Sequence, residues 1–279
     1  MKYTIDHDVL SSFKEYAEYN LIKNGEAYTN FADIPLYRYL DYEDDKIKNK
    51  AIYGSQFCQL CYYNDIAGIT TLSIKESGVS KAEGEDGLII DRDKGRAIFD
   101  LTYNEEVVSI DGAIKDFNTY ITSDPDEKIV HESLNNNLPT LKAERYVKNP
   151  YGIRLPAIFF KINDTYNEKY CLSGGEKTNW IIRAIIIANC EFSLTGVVSY
   201  FRDYYRDCFP FIGCENQPLN NYGGLKDQNW RYSDFLSDHS LPSGYISKVL
   251  YTPIQPTNFS QLNPNTYIGF CDFFIQTKR

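Results

Sequence analysis

Seven cysteines, three histidines and several groups of carboxylates are the side chains in this 279-residue chain from which a reactive site could be built. Cys58 and Cys61, in the run FCQLC, have the spacing of half a zinc knuckle or of a redox pair. A structural zinc site needs a second pair, and neither C-x-x-C nor H-x-x-x-H recurs. With Cys171, Cys190, Cys208, Cys214 and Cys271 the count is odd and the spacing wide, which reads as free thiols in packed positions. His7, His131 and His239 lie far apart in polar sequence, so they read as surface histidines rather than as bases or ligands. Ser173–Thr178, SGGEKT, ends like a phosphate cradle, but it lacks the leading glycine and the following helix N-terminus that would hold an anion. Asp41, Glu43, Asp44 and Asp45, and Asp203 with Asp207, could supply a glycosidase pair, yet sequence fixes no separation between them. A solvated acidic face accounts for these carboxylates. The expectation is a non-enzymatic chain with no catalytic, cofactor-binding or metal-binding set.

Composition points the same way. The net charge is −9, from 29 basic and 38 acidic side chains, whereas a nucleic-acid surface needs lysine and arginine clustered on one face. The longest strongly apolar stretch, Trp180–Asn189, is about half a membrane span and contains Arg183, so no membrane partner is expected. The opening MKYTIDHDVLSSF has no apolar core before a small-residue cleavage site, so synthesis without secretion is expected. Tyrosine is abundant, at 24 residues, and offers broad amphipathic contact area at low entropic cost. A coding bias toward Asn, Lys, Tyr and Ile explains part of that excess.

The elements that must carry these residues follow from periodicity. Val9, Phe13, Ala17 and Leu21 recur at steps of four, which predicts an amphipathic helix over Asp8–Asn24, with Gly25 past its end. Phe31–Lys50 has no clean period and reads as a tyrosine-rich contact arm. Ala51–Tyr63 and Gly68–Ile74 are β-like, and Ser77–Asp86 reads as a polar hairpin loop. In the next run Leu88 and Ile90, then Ala97, Phe99 and Leu101, fall on alternate positions. Asp93-Lys94-Gly95 between them has the composition of a tight turn with a positive-φ glycine, which predicts a β-hairpin.

The second half opens with Arg154–Asn163 as a strand. A Gly-Gly turn and an isoleucine-rich strand at Trp180–Asn189 follow. Leu194, Val197, Val198, Phe201, Tyr205 and Cys208 share one helical stripe, predicting a second long helix over Leu194–Phe209, stopped by Pro210. A long polar, aromatic loop over Gly213–Ser243 precedes two final strands, Tyr245–Thr252 and Tyr267–Gln276. The fold class is therefore α+β, antiparallel sheets with two main helices and a β-rich first half. The expected division is 1–50 as an N-terminal helix and arm, 51–140 as a β-rich domain and 141–279 as an α+β domain, with a boundary near Asn135–Pro150.

Three segments carry a resemblance. The D-x-x-x-G-R-x-I-F core at Asp91–Phe99, the K-D-F-N-x-Y-I-T run at Lys115–Thr122, and the later P-x-I-F-F, G-G and I-R-A pieces with F-R-D at Phe201–Asp203 are similar in order to virion structural proteins of tailed, often contractile-tailed, bacteriophages. The match covers about residues 50 to 279, and the first forty residues match nothing. The resemblance implies a terminator-like second half and a virion protein of the neck or tail: a subunit of a head-to-tail connector, tail terminator or baseplate. Such a chain is made in the host cytoplasm and partners copies of itself in a ring and neighbouring virion proteins. The alternative is a receptor- or glycan-binding module of a phage tail, presenting Tyr222, Trp230 and Tyr232. For assembly, Trp230 with Tyr232 is the expected aromatic anchor. Arg202, Asp203 and Arg206, at helical spacing, are the expected electrostatic register device between neighbours.

Overall fold

The computed structural model describes residues 5–38, 50–55, 57, 59–100, 103, 107–121, 155–169, 176–253 and 267–278. The expected boundary near Asn135–Pro150, together with Cys58, Cys171, His131, Asp41, Glu43, Asp44 and Asp45, lies outside the described residues.

Two β-sheets and one long helix organise the chain. The first sheet has seven strands: β1 (Tyr28–Arg38), β2 (Lys50–Gly54), β3 (Ser73–Glu76), β4 (Val79–Lys81), β5 (Ile89–Asp91), β6 (Arg96–Asp100) and β7 (Val108–Lys115). Their spatial order is β4-β3-β7-β1-β2-β6-β5. The second sheet contains β8 (Asn118–Ile121), β9 (Ala157–Lys169), β10 (Glu176–Ala188), β11 (Cys208–Pro210), β12 (Ser243–Pro253) and β13 (Tyr267–Lys278), in the order β11-β12-β13-β10-β9-β8. Helices α1 (Ile5–Lys23), α2 (Glu191–Asp203) and the short α3 (Tyr232–Ser237) complete the described elements. The architecture is α+β, as expected, with α1 and α2 the two main helices.

Strand β10 anchors the second sheet because its β-branched run suits a pleated surface covered on both sides. Trp180, Ile182, Ala184 and Ile186 face the core shared with α1 and α2, while Ile187 joins a separate cluster with Ala157, Phe159 and Ile268. Helix α1 drops Phe13 into that core, its ring 4.7 Å from Phe273, 5.4 Å from Phe209 and 5.5 Å from Phe160. The first sheet closes a second core around Tyr53, Phe99, Ile110 and Ile114. Its predicted hairpin is present: β5 pairs antiparallel with β6, and Gly95 takes φ +59° in the turn.

Four expectations are corrected. The arm begins as strand β1, because Tyr28–Leu36 pairs with β7 across a bulge between Phe31 and Ile34 that hides the alternation from sequence. Helix α2 stops at Asp203, capped by Tyr204. Arg206 then takes φ +76°, and Cys208 and Phe209 leave the helical stripe to pair with β12. The sheets are not wholly antiparallel: Lys115 ends β7, a bend follows, and β8 pairs with β9 in parallel. Gly213–Ser243 is not an open loop, since Trp230 and Tyr232 are buried in the core beside α3.

Candidate functional site

The expected assembly residues separate. Trp230 is 7% exposed and Tyr232 fully buried, so neither is available as a surface anchor. Trp230 packs at 6.0 Å from both Tyr62 and Tyr63 and donates its indole N–H to the Asn216 carbonyl at 3.0 Å. Tyr232 lies 4.7 Å from the Tyr19 ring. Tyr222 is exposed. Arg202 and Asp203 are exposed at the end of α2, but Arg206 lies beyond the helix with its guanidinium 4.9 Å from the Tyr205 ring. The helical register that would have aligned all three charges is therefore not formed. Asp207 instead accepts the Tyr16 hydroxyl at 2.7 Å.

The concentrated polar chemistry of the molecule lies in a place the sequence did not mark. Glu15 and Glu18, one turn apart on α1, are both buried, Glu18 completely. Lys115, at the end of β7, reaches Glu18 at 2.6 Å, and Lys14 reaches it at 2.8 Å. Tyr62 and Tyr63 donate hydroxyls to Glu15 at 2.8 and 2.9 Å, and both also touch Glu18. Thr119 of β8 donates to the other Glu18 oxygen, while Gln59 holds the Thr119 backbone through both ends of its amide. The Tyr62 ring lies 4.9 Å from the Lys115 ammonium.

Electrostatics fix the charge states. Burial alone would raise the Glu18 pKa, but Lys115 and Lys14 outweigh it and hold the carboxyl at about 2. Burial acts against the Lys14 charge, yet Glu18 and Glu15 keep its ammonium above the ordinary lysine range. Burial, then Glu15, pushes both tyrosines well up. The cluster works as a buried clamp that ties α1 to the junction of β7 and β8. Removing one partner of such a pair leaves an uncompensated buried charge. A signal for the site was present in Glu15 and Glu18, two acids beside the apolar stripe of α1. Apart from Lys14, their partners come from Tyr62, Tyr63, Lys115 and Thr119, 44 or more positions away, which concealed it.

The solvent-facing feature that stands out is the rim of the second sheet. Strand β8 covers β9 only at Ala157–Phe160, and β11 covers β12 only at Ser243–Tyr245. Beyond these, β9 overruns the core: Asn163–Lys169 is exposed on both faces. At the other side, Lys248 and Leu250–Pro253 of β12 are exposed as well. Among the described residues, neither Lys161–Lys169 nor Ser247–Pro253 has a strand on its outer side. A groove of about 730 Å³ lined by Lys177, Leu241, Pro242, Ser243, Tyr245, Gln276 and Thr277 lies next to this rim.

Among the described residues, no group of three or more His, Cys, Asp or Glu is arranged to hold a metal ion. No described helix is long and apolar enough to cross a membrane. No protein-family model matches the chain, and neither does any curated protein.

Proposed function

We propose that this chain is a non-enzymatic structural subunit of a tailed-phage virion, placed at the neck or tail. The observation that carries the reading is the exposed end of β9: beyond a bulge at Asn163, Asp164–Lys169 pairs with β10 on one side while both of its faces are in water. An ordered strand that buries nothing of its own is a template for another chain. The resemblance of Asp91–Phe99 and Lys115–Thr122 to virion structural proteins supplies the setting. The sealed Glu15, Glu18, Lys14 and Lys115 cluster supports it too, because it stiffens the body against which such an edge is presented.

The receptor-binding alternative needs Tyr222, Trp230 and Tyr232 on one surface. With Trp230 and Tyr232 inside the core, that platform reduces to Tyr222. Antibodies against the recombinant chain, applied to purified virions of the encoding phage, make the test. Stoichiometric chain in DNA-filled particles and gold label at the neck or tail are expected. Particles lacking the chain overturn the proposal.

A further inference from the structure

We infer that the occupant of the two edges left open among the described residues is a second copy of this chain: the β9 edge of one copy pairs antiparallel with the β12 edge of the next. The inference rests on the structural-subunit reading and adds the partner and the register. Direction comes first. Strand β9 runs antiparallel to β10, β10 to β13 and β13 to β12, so the two outer edges of one sheet run in opposite senses. A sheet that continues from one copy into the next therefore joins these edges as an antiparallel pair.

The faces agree as well. Beyond a bulge at Asn163, Asp164, Tyr166 and Glu168 lie opposite Ile181, Asn179 and Lys177. Beyond a bulge at Ser247, Lys248, Leu250 and Thr252 lie opposite Phe274, Asp272 and Phe270. Ile181 and Phe274 are themselves partners, as are Asn179 and Gln276, so both triplets project from the same face of the sheet. Because side chains directly opposite in an antiparallel pair share a face, the registers open to the two edges differ by steps of two.

Charge and apolar area select one of them. Placing Glu168 against Lys248 sets an acid opposite a base and brings Tyr166, 41% exposed, against Leu250, 40% exposed. Asp164 then faces Thr252, and the pairing engages all of Ser247–Pro253 with Asn163–Lys169, ending at Pro253, which has no N–H to give. Moving the register by two in one direction sets Tyr166 against Lys248 and separates the charges. Within a single copy Lys248 is level with Asp164, so the pairing staggers neighbours by four residues, about 13 Å along the strands. The contact joins different surfaces of identical chains, which generates a ring when the rotation between copies closes and a helical stack when it does not.

The first sheet offers a contrast. Among the described residues the side of β1 away from β7 is unpaired over Tyr28–Leu36, but there the bulge carries Asp33 at φ +52° and is followed by Pro35. Those features bar a neighbouring strand. The runs Asp164–Lys169 and Lys248–Thr252 contain neither a proline nor a positive-φ residue.

Disulfide trapping tests the register directly. In full-length chain with Cys190, Cys208 and Cys214 replaced by serine, Tyr166→Cys combined with Leu250→Cys should give, on mild oxidation, a ladder of covalent dimers and higher species. Peptide mass spectrometry should identify the linkage between positions 166 and 250. Asn167→Cys with Leu250→Cys places the thiols on opposite faces and should give none. A 166/250 yield no greater than that of this control overturns the inference, whatever the fold of the variant. Independently, Glu168→Lys should weaken self-association by up to about fivefold and added Lys248→Glu should restore it. Failure of the second change to restore association overturns the pairing. Chain present in virions without the linkage removes the edge pairing alone. Linkage formed by a chain absent from virions keeps the pairing and removes the virion reading.

Discussion

Glu18 and Lys115, 97 positions apart in the chain, meet at 2.6 Å with both side chains sealed from water. The contact joins the first helix to the last strand of the first sheet, and Thr119 extends it into the second. Charges taken so completely out of solvent stabilise only while every partner is in place.

Replacing Glu18 by alanine should therefore cost on the order of 3–5 kcal/mol, since it takes away the carboxylate that Lys115 meets in the buried interior. Glu18→Leu combined with Lys115→Met should recover most of the loss, because neither charge is then buried alone. Urea denaturation of the three proteins makes the comparison. A single-mutant loss below about 1 kcal/mol would show that the cluster is not the clamp described.

Acid should unfold the protein through the same carboxylate. The Glu18 pKa lies at about 2 in the folded chain against an ordinary 4.5, so its contribution is complete above pH 4.5 and disappears as pH falls toward 2. Lys14, raised in the folded chain, contributes fully below the ordinary lysine value and loses its contribution only in strong alkali, so it has no part in the acid limb. Stability measured from pH 5 to pH 2 should fall steeply in the wild type and less steeply in the Glu18→Leu, Lys115→Met protein. Parallel slopes would place the acid sensitivity elsewhere.

Trp230 should behave as a core residue. Alanine there removes the ring that packs on Tyr62 and Tyr63 and should lower the stability of the isolated chain by about 3–5 kcal/mol. Tyr222→Ala, at an exposed site, should change it by less than about 0.5 kcal/mol. Thermal melts of the free protein decide the matter. An unchanged Tm for the tryptophan variant would return Trp230 to the surface role expected from sequence.

Two turn glycines should respond differently to alanine. Gly95, at φ +59°, has no room: a Cβ there would lie 1.7 Å from the Phe57 carbonyl oxygen. Gly78, at φ +86°, has open space around it. Gly78→Ala should cost only the backbone preference, about 1 kcal/mol. Gly95→Ala must also displace the Phe57 backbone and should cost clearly more. Equal losses would mean that the hairpin turn is not held against that segment.

The parts of the fold legible in sequence were those with local causes. The β5–β6 hairpin could be read because Asp93-Lys94-Gly95 dictates its own turn, and β10 because its isoleucines favour a strand wherever they stand. Strand β1 was hidden by the bulge after Phe31, which puts Ile34 and Leu36 out of phase with what precedes them. The end of α2 was obscured because Tyr205 and Cys208 continue a helical stripe that pairing with β12 overrides. Glu15 and Glu18 drew no attention in the sequence because Tyr62, Tyr63 and Lys115 meet them only through tertiary structure. Trp230 and Tyr232 misled for the opposite reason: aromatic residues in a polar loop suit an interface and a core equally well.

The placement of α1 sets an order of events during synthesis. The helix is made before the sheets it packs on: Phe160, Phe209 and Phe273, which enclose Phe13, follow it by 147 to 260 residues. Until the final strand emerges, the apolar side of α1 has no permanent seat, whereas the hairpin of β5 and β6 can form as it is made. The nascent chain thus holds α1 in waiting for β13, and the central core cannot close before that strand has been made.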